Sequence, residues 1–345
     1  MNGDWSVKAL ATLNEVFSSL SVRRRYEVWF LRMGLADGSG AWWFRYLLMN
    51  PGRPPQRAKT GLPPQPAKSA RSGDPGLAGD PEGCAGNPRG MPVQVWATWF
   101  PVGGKPESFI QGFALEGLEI SRRGQSPFYF RVAGNEIGED FCRGSLEVDG
   151  HAVAWNLRYR STFRVTLSDK GWIGFSRTPH SDAVFSGEIS LDGRRFAGDA
   201  FAFGLQGHNC GYRHRNFWTW AHAYFPSGTT LEALVYEMPL GLVFRKAVLW
   251  HEGEKHVFRG FEETGDRETM HWGFRCAERK GLSVEARIDG RGPSLHRLPY
   301  IKTDCSGSFE VRNNSLASAS LLIGGAGRAA ERLETATGAV LEVVG

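Results

Sequence analysis

One stretch of the chain, residues 204–225, concentrates the side chains that could do chemistry. Its first part is polar and punctuated by glycine, in the order Gly207, His208, Asn209, Cys210 and Gly211. Glycine allows tight backbone bends that other residues resist. We therefore expect a loop that aims His208 and Asn209 into the same space.

The second part of this stretch has the alternation of a β-strand, in which successive side chains point to opposite faces. One face carries Trp218, Trp220, His222 and Tyr224. The other face carries Phe217, Thr219, Ala221 and Ala223. A core-facing strand normally uses Val, Ile and Leu, so a row of rings with polar tips is more typical of a pocket wall.

These residues are suited to chemistry on an alkene or polyene, which needs a proton donor and a cavity that shields a cation from water. Imidazole can donate a proton, and indole faces stabilise cations without reacting. We expect His208, Asn209 and His222 to form the polar end of the pocket. A pericyclic reaction would need only a hydrogen bond to a carbonyl, from Asn209 or Tyr212. In the structural alternative, His208 and Asn209 hydrogen-bond loop carbonyls and hold the turn.

An early hairpin supplies the candidate carboxyl. Folding the strands at 26–33 and 41–49 about Asp37 places Trp29 opposite Arg45, with Glu27 diagonal on the same face. A charge in an aromatic strand is costly unless it is paired, so Glu27 and Arg45 either pair or both contact a ligand. Glu27 is the fourth candidate catalytic residue, although an ion pair with Arg45 would lower its pKa and remove it as an acid.

The predicted pocket wall is mostly aromatic, as in typical small-molecule sites. The residues that we expect to bind substrate are Trp29, Arg45, Trp155, Tyr212, Trp218, Trp220 and Tyr224.

Two motifs resemble a known family. The sequence Gly-His-Asn-Cys-Gly at 207–211, followed by an aromatic strand, and the sequence Tyr-Glu-Val-Trp-Phe at 26–30 are similar to motifs of two-domain lipocalin-like proteins. That family includes carotenoid 1,2-hydratases (hydroxyneurosporene synthases), tocopherol cyclases and lipocalin-like Diels-Alderases, and it usually has Trp where this chain has Cys210. The resemblance covers residues 22–345. It implies an enzyme that hydrates, cyclises or isomerises a hydrophobic isoprenoid- or polyketide-like molecule without a redox cofactor. The alternative is a carrier that only binds such a ligand.

Short strands at regular intervals favour an all-β fold with antiparallel barrels. Strand, Asp-Gly turn and aromatic strand occur in both halves, at Asp149-Gly150 and at Asp192-Gly193. We expect two consecutive lipocalin-like barrels or half-barrels, at 22–165 and 166–345, after a short N-terminal helix within residues 1–21. Residues 51–92 contain ten Pro and eight Gly, which predicts a disordered insertion in the first domain.

Composition excludes several classes of partner. The net charge is +5, of which +3 (six Lys/Arg less three Asp/Glu) lies in residues 51–92. The remaining charge is too small for a nucleic-acid-binding face. No apolar run approaches the roughly 20 residues of a membrane span. The first residues lack a charged segment followed by an apolar one, so we do not expect a secretory signal. The five cysteines are widely spread, which favours reduced thiols and a cytoplasmic location.

We expect neither a metal nor any other cofactor. Zinc ligands could come from Cys210 and the histidines at 208, 214 and 222, but their spacing does not match structural zinc sites and no carboxylate is near. His251 and His256 have one residue too many between them for a zinc-protease motif. Cys210 as a nucleophile is a further minor alternative.

Overall fold

The computed structural model describes residues 13–17, 25–50, 91–122, 125–170, 173–212, 214, 217–278, 281–303, 307–325 and 328–345. Most of the predicted N-terminal helix and all but the last two residues of the predicted insertion at 51–92 lie outside the described residues. Within 13–17, Leu13 and Asn14 are helical.

The first sheet has 12 antiparallel strands. They are β1 (Arg25–Leu35), β2 (Gly40–Asn50), β3 (Val93–Pro101), β4 (Glu107–Phe113), β5 (Leu118–Ile120), β6 (Tyr129–Val132), β7 (Asn135–Gly138), β8 (Phe141–Val148), β9 (His151–Arg160), β10 (Val165–Asp169), β11 (Gly174–Leu191) and β12 (Arg194–Gly211). Their order is β4-β3-β2-β1-β12-β11-β9-β8-β7-β6-β5, with β10 paired to β11. The edge strand β4 contacts β8, so the sheet is nearly closed into a barrel.

The second sheet has 10 strands. They are β13 (Trp218–Tyr224), β14 (Thr230–Glu237), β15 (Val243–His251), β16 (Glu254–Phe258), β17 (Glu262–Asp266), β18 (His271–Ala277), β19 (Leu282–Asp289), β20 (His296–Ile301), β21 (Ser308–Gly325) and β22 (Arg328–Val344). Their order is β16-β15-β14-β13-β22-β21-β19-β18-β17, with β20 paired to β21. Short 3₁₀ turns lie at Leu115–Gly117 and Pro239–Gly241. The predicted all-β fold class is confirmed.

None of the helical segments in the described part of the chain has the length and apolar character of a membrane span.

Apolar side chains form three cores, one inside the first barrel, one between the two sheets and one on the inner side of the second sheet. Successive side chains of a strand point to opposite faces, so neighbouring residues belong to different cores. On β1, Trp29 lies inside the first barrel and Phe30 lies between the sheets. On β13, Trp220 lies between the sheets and Ala221 faces the inner side of the second sheet. Strands β1 and β13 are therefore buried on both faces.

The chain changes from the first sheet to the second between Gly211 and Trp218. Strands β10 to β12 all belong to the first sheet. Strands β11 and β12 are 18 residues each, and register shifts along their pairing let them run on without a break. The Asp192-Gly193 turn therefore closes a hairpin within the first sheet. The division into two separate domains stays a prediction.

A buried arginine of β1 fastens the two sheets together. Arg32 is 1% exposed, and its guanidinium donates hydrogen bonds to backbone carbonyls of the second sheet, those of Ser315, Thr337, Gly338 and Ala339. Burial lowers the pKa of Arg32 to about 9. These bonds hold β1 of the first sheet against β21 and β22 of the second sheet.

Candidate active site

The first hairpin pairs with a register different from the predicted one. Arg45 lies opposite Phe30, not Trp29. The turn is centred between Asp37 and Gly38, where Gly38 has a φ of 72°. A shift of one residue moves a strand's side chains to the other face. Glu27 therefore points into the first barrel, whereas Arg45 lies between the sheets, and the two do not pair.

The predicted glycine loop is the end of strand β12, where it pairs with β1. Because successive strand residues alternate, His208 faces into the first barrel and Asn209 faces the second sheet. A Cβ on Gly207 would lie 2.3 Å from the Phe30 ring, and one on Gly211 would lie 3.1 Å from the Tyr26 ring. The glycines therefore leave room for aromatic rings and do not bend the chain.

Glu27 and His208 form a buried pair inside the first barrel. His208 Nε2 lies 2.9 Å from Glu27 Oε1, and His208 Nδ1 donates to the Leu13 carbonyl at 2.7 Å. The Phe17 amide also donates to Glu27 Oε1, at 2.7 Å. The Trp29 ring stacks on the imidazole at 4.6 Å and donates its indole N–H to the Asn14 carbonyl. These contacts hold residues 13–17 against the barrel.

Three other predicted site residues do not line the cavity that lies between the two sheets. Trp155 is in the core of the first barrel and donates its indole N–H to Tyr46 Oη at 3.1 Å. His222 is fully buried and bonds the Ser181 carbonyl through Nε2, and burial lowers its pKa to about 3. Tyr224 stacks on Phe203.

A cavity of about 1010 Å³ lies between the two sheets, and we call it the inter-sheet cavity. It includes five of the predicted site residues, namely Arg45, Asn209, Tyr212, Trp218 and Trp220. Other aromatic residues that line it are Tyr26, Phe30, Trp43, Phe175, His214, Tyr236, Tyr300 and Phe309. Its size and aromatic wall suit a hydrophobic small molecule.

Glu342 of β22 is the acidic residue among those that line the inter-sheet cavity. Its oxygens accept hydrogen bonds from Trp218 Nε1 at 2.9 Å and from Asn313 Nδ2 at 3.3 Å. Burial raises the pKa of the Glu342 carboxyl, against the opposing effects of the Arg45 charge and these two hydrogen bonds. The raised pKa makes this carboxyl a better candidate proton donor than an exposed glutamate.

His214 supplies a neutral imidazole to the same cavity. Its ring stacks on Tyr26 at 4.2 Å and is half-buried. Desolvation by the surrounding protein, together with a smaller effect of the Arg45 charge, lowers its pKa to about 3. An imidazole that stays neutral can accept a hydrogen bond from a bound hydroxyl or water.

Arg45 brings a cation to the cavity wall. It is 5% exposed, and its guanidinium carbon lies 4.3 Å from the Tyr300 ring centroid and 4.6 Å from that of Trp96. Neither Arg45 Nη1 nor Asn209 Oδ1 has a hydrogen-bond partner within the described part of the molecule. Both are buried polar atoms that lack a compensating hydrogen bond.

Glu342 was not among the residues predicted from the sequence, and His214 was predicted only as a possible metal ligand. A signal for Glu342 was present, because it is a lone carboxylate in the apolar run from Ala339 to Val344. The same signal marks Glu232 in β14, which is 1% exposed and accepts hydrogen bonds from Thr178 and Trp220.

One cluster has the composition of a metal site. The ligand atoms of His251, Glu252 and Glu331 lie within 4.8 Å of one another, and both carboxylates are exposed. None of the three lines the inter-sheet cavity.

Solved structures share this architecture. Kievitone hydratase from Nectria haematococca superposes with a TM-score of 0.53 at 10% identity, covering 97% of this chain and 94% of that protein. CghA, solved with Sch210972, superposes with a TM-score of 0.56 at 10% identity, covering 93% and 88%. The fold is two-barrel and lipocalin-like. At this identity the likeness concerns the fold alone. No family model matches the sequence, and neither does any curated protein.

Proposed function

We propose that the protein is an enzyme that binds a hydrophobic, isoprenoid- or polyketide-like molecule in the inter-sheet cavity and hydrates, cyclises or isomerises it without redox chemistry. The observation that carries the proposal is Glu342, a carboxyl with a raised pKa that faces an aromatic cavity. The similar folds include a protein named as a hydratase and one solved with a small molecule, which fits this class of activity.

Glu342 starts the proposed reaction. The π electrons of an alkene take the carboxyl proton and form a C–H bond, which leaves a carbocation on the neighbouring carbon. The Glu342 carboxylate that results accepts hydrogen bonds from Trp218 and Asn313, and the Arg45 charge lies nearby. Indole faces of Trp218 and Trp220 stabilise the cation.

Loss of a proton from a different carbon of the cation to Glu342 isomerises the alkene, and the cation can otherwise react in two ways. In hydration, the oxygen of a water molecule bonds to the cation, and one of its protons passes to the Glu342 carboxylate, which restores the acid. In cyclisation, a second π bond of the same molecule attacks the cation, and loss of a proton to Glu342 restores the acid. Both routes conserve the oxidation level of substrate and protein.

The experiment begins with mass spectrometry of the small molecules that copurify with the protein, because these identify a substrate class. Conversion of those molecules is then measured for the parent and for Glu342→Gln. We expect turnover to fall at least about a hundredfold, roughly 2.7 kcal/mol of transition-state stabilisation, while the dissociation constant stays within about threefold. The exposed Glu188→Gln is the matched control and should keep the parent's turnover.

Undiminished turnover in Glu342→Gln would remove Glu342 as the acid. The second candidate function is a carrier, which is favoured by the aromatic wall alone. A carrier would bind the copurified molecule and release it unchanged, with the same affinity in parent and Glu342→Gln. In both cases Trp220→Ala should weaken binding, since the Trp220 ring forms part of the wall.

A further inference from the structure

The inter-sheet cavity has an excess of positive charge. Arg45 is buried in its wall, and its immediate surroundings are the rings of Trp43, Trp96 and Tyr300. Lys170 and Lys302 also line the cavity, and both are exposed to solvent. The acidic residue of the lining is Glu342, and burial disfavours its charged form.

A buried cation is costly unless a partner compensates it. Aromatic faces offer Arg45 a partial electrostatic match, but they cannot accept a hydrogen bond from Nη1 in the plane of the guanidinium. This atom is buried and has no hydrogen-bond partner among the described residues. A guanidinium pairs best with carboxylate-like oxygens, which accept its parallel N–H groups.

We propose that Arg45 binds an anionic oxygen of the substrate, so that the substrate class is an amphipathic organic anion with a carboxylate or enolate at one end of an apolar body. This inference rests on the proposed function of the inter-sheet cavity. The exposed Lys170 and Lys302 attract the anion toward the cavity, and the Trp218 and Trp220 rings contact its apolar part. Asn209 Oδ1 accepts a hydrogen bond from a hydroxyl or amide of the same molecule.

The test uses two fluorescent probes that differ in one group, cis-parinaric acid and its methyl ester. Both have the same polyene chain, but only the acid has a carboxylate at neutral pH. We expect the parent to bind the acid at least about tenfold more tightly than the ester, since charge-assisted hydrogen bonds are roughly twice as strong as neutral ones. Arg45→Gln should remove this preference and leave the affinity for the ester within about threefold.

Two further variants test whether the preference for the acid depends on the positive charge at position 45. Arg45→Lys keeps the cation and should retain part of the preference for the acid. Arg158→Gln removes an arginine on the outside of the first barrel, where its side chain is 72% exposed, and should bind both probes like the parent. Because Arg45 packs among three rings, the parent's own preference is measured first, and equal affinity for acid and ester decides against the role of Arg45 even if Arg45→Gln does not fold.

The outcomes distinguish this inference from the proposed function. Equal affinity of the parent for acid and ester overturns the anion-binding role of Arg45 and leaves the hydrophobic cavity intact. Binding of neither probe overturns both. A preference for the acid that persists in Arg45→Gln also overturns the role of Arg45, and it assigns the charge recognition to the lysines.

Discussion

Glu232 offers a test of the interface between the sheets that needs no ligand. Its carboxyl lies on β14 and accepts hydrogen bonds from Thr178 Oγ1 at 2.7 Å and from Trp220 Nε1 at 3.1 Å. Ser181 Oγ lies 3.5 Å from the second oxygen. Burial raises the pKa of Glu232 to about 7, although these hydrogen bonds and the charge of Lys246 oppose the shift. We expect Glu232→Gln to alter how stability depends on pH.

The magnitude follows from the shift in pKa. A folded-state pKa of about 7 against an ordinary 4.5 corresponds to about 3 kcal/mol at 1.36 kcal/mol per pKa unit. Because the folded-state pKa is raised, this stability is fully present below pH 4.5 and is lost as the pH rises to about 7. Gln at position 232 mimics the protonated carboxyl, with its oxygen toward Thr178 and Trp220 and its amide toward Ser181.

Urea unfolding of the parent and of Glu232→Gln at a series of pH values from 4.5 to 8 measures the difference directly. The two should be equally stable at the lowest pH, and the variant should gain up to about 3 kcal/mol relative to the parent by pH 8. Histidine titrations affect both proteins equally and cancel in the difference. A difference that does not vary with pH would refute the reasoning, because it would mean that Glu232 titrates normally.

Two further predictions concern buried groups near the site. Burial lowers the pKa of His222 to about 3, so the neutral imidazole stabilises the fold above pH 6.5 and this stability is lost as the pH falls toward 3. In urea unfolding, His222→Gln should therefore lose less stability than the parent between pH 7 and 4. An unchanged dependence of stability on pH would contradict the assignment. Gly207→Ala places a methyl group 2.3 Å from the Phe30 ring and should cost about 1–3 kcal/mol by overpacking. Gly117→Ala, where the nearest atom lies 4.0 Å away, is the control, and equal stability of the two variants would show that the ring moves aside freely.

The fold class could be predicted because strand alternation is local. Trp218 and Trp220 share a face whatever the remaining chain does, and both line the inter-sheet cavity. The strand register was harder to predict, since a pairing shift of one residue places Arg45 on the opposite face from Glu27. Local patterns also do not show which sheet a strand joins, and the long hairpin of β11 and β12 joins the first sheet.

The site itself depends on contacts between distant segments. Glu342 reaches the cavity because β22 pairs with β13, and no sequence spacing relates it to Arg45 on β2. The glycines of β12 were misinterpreted because a glycine that admits a ring and a glycine that turns the chain look alike in sequence. A lone carboxylate in an apolar strand is the sequence pattern that marks these buried acidic residues. It was applied to Glu27 but not to Glu232 or Glu342.

A crystal structure of the protein soaked with all-trans-retinol, a neutral hydrophobic probe, tests most directly whether the inter-sheet cavity is the ligand site. We expect density for the polyene between the two sheets, against Trp218 and Trp220 and near Glu342. Density inside the first barrel instead, against Trp29 and Trp155, would contradict the account and return the Glu27–His208 pair to the centre of the site.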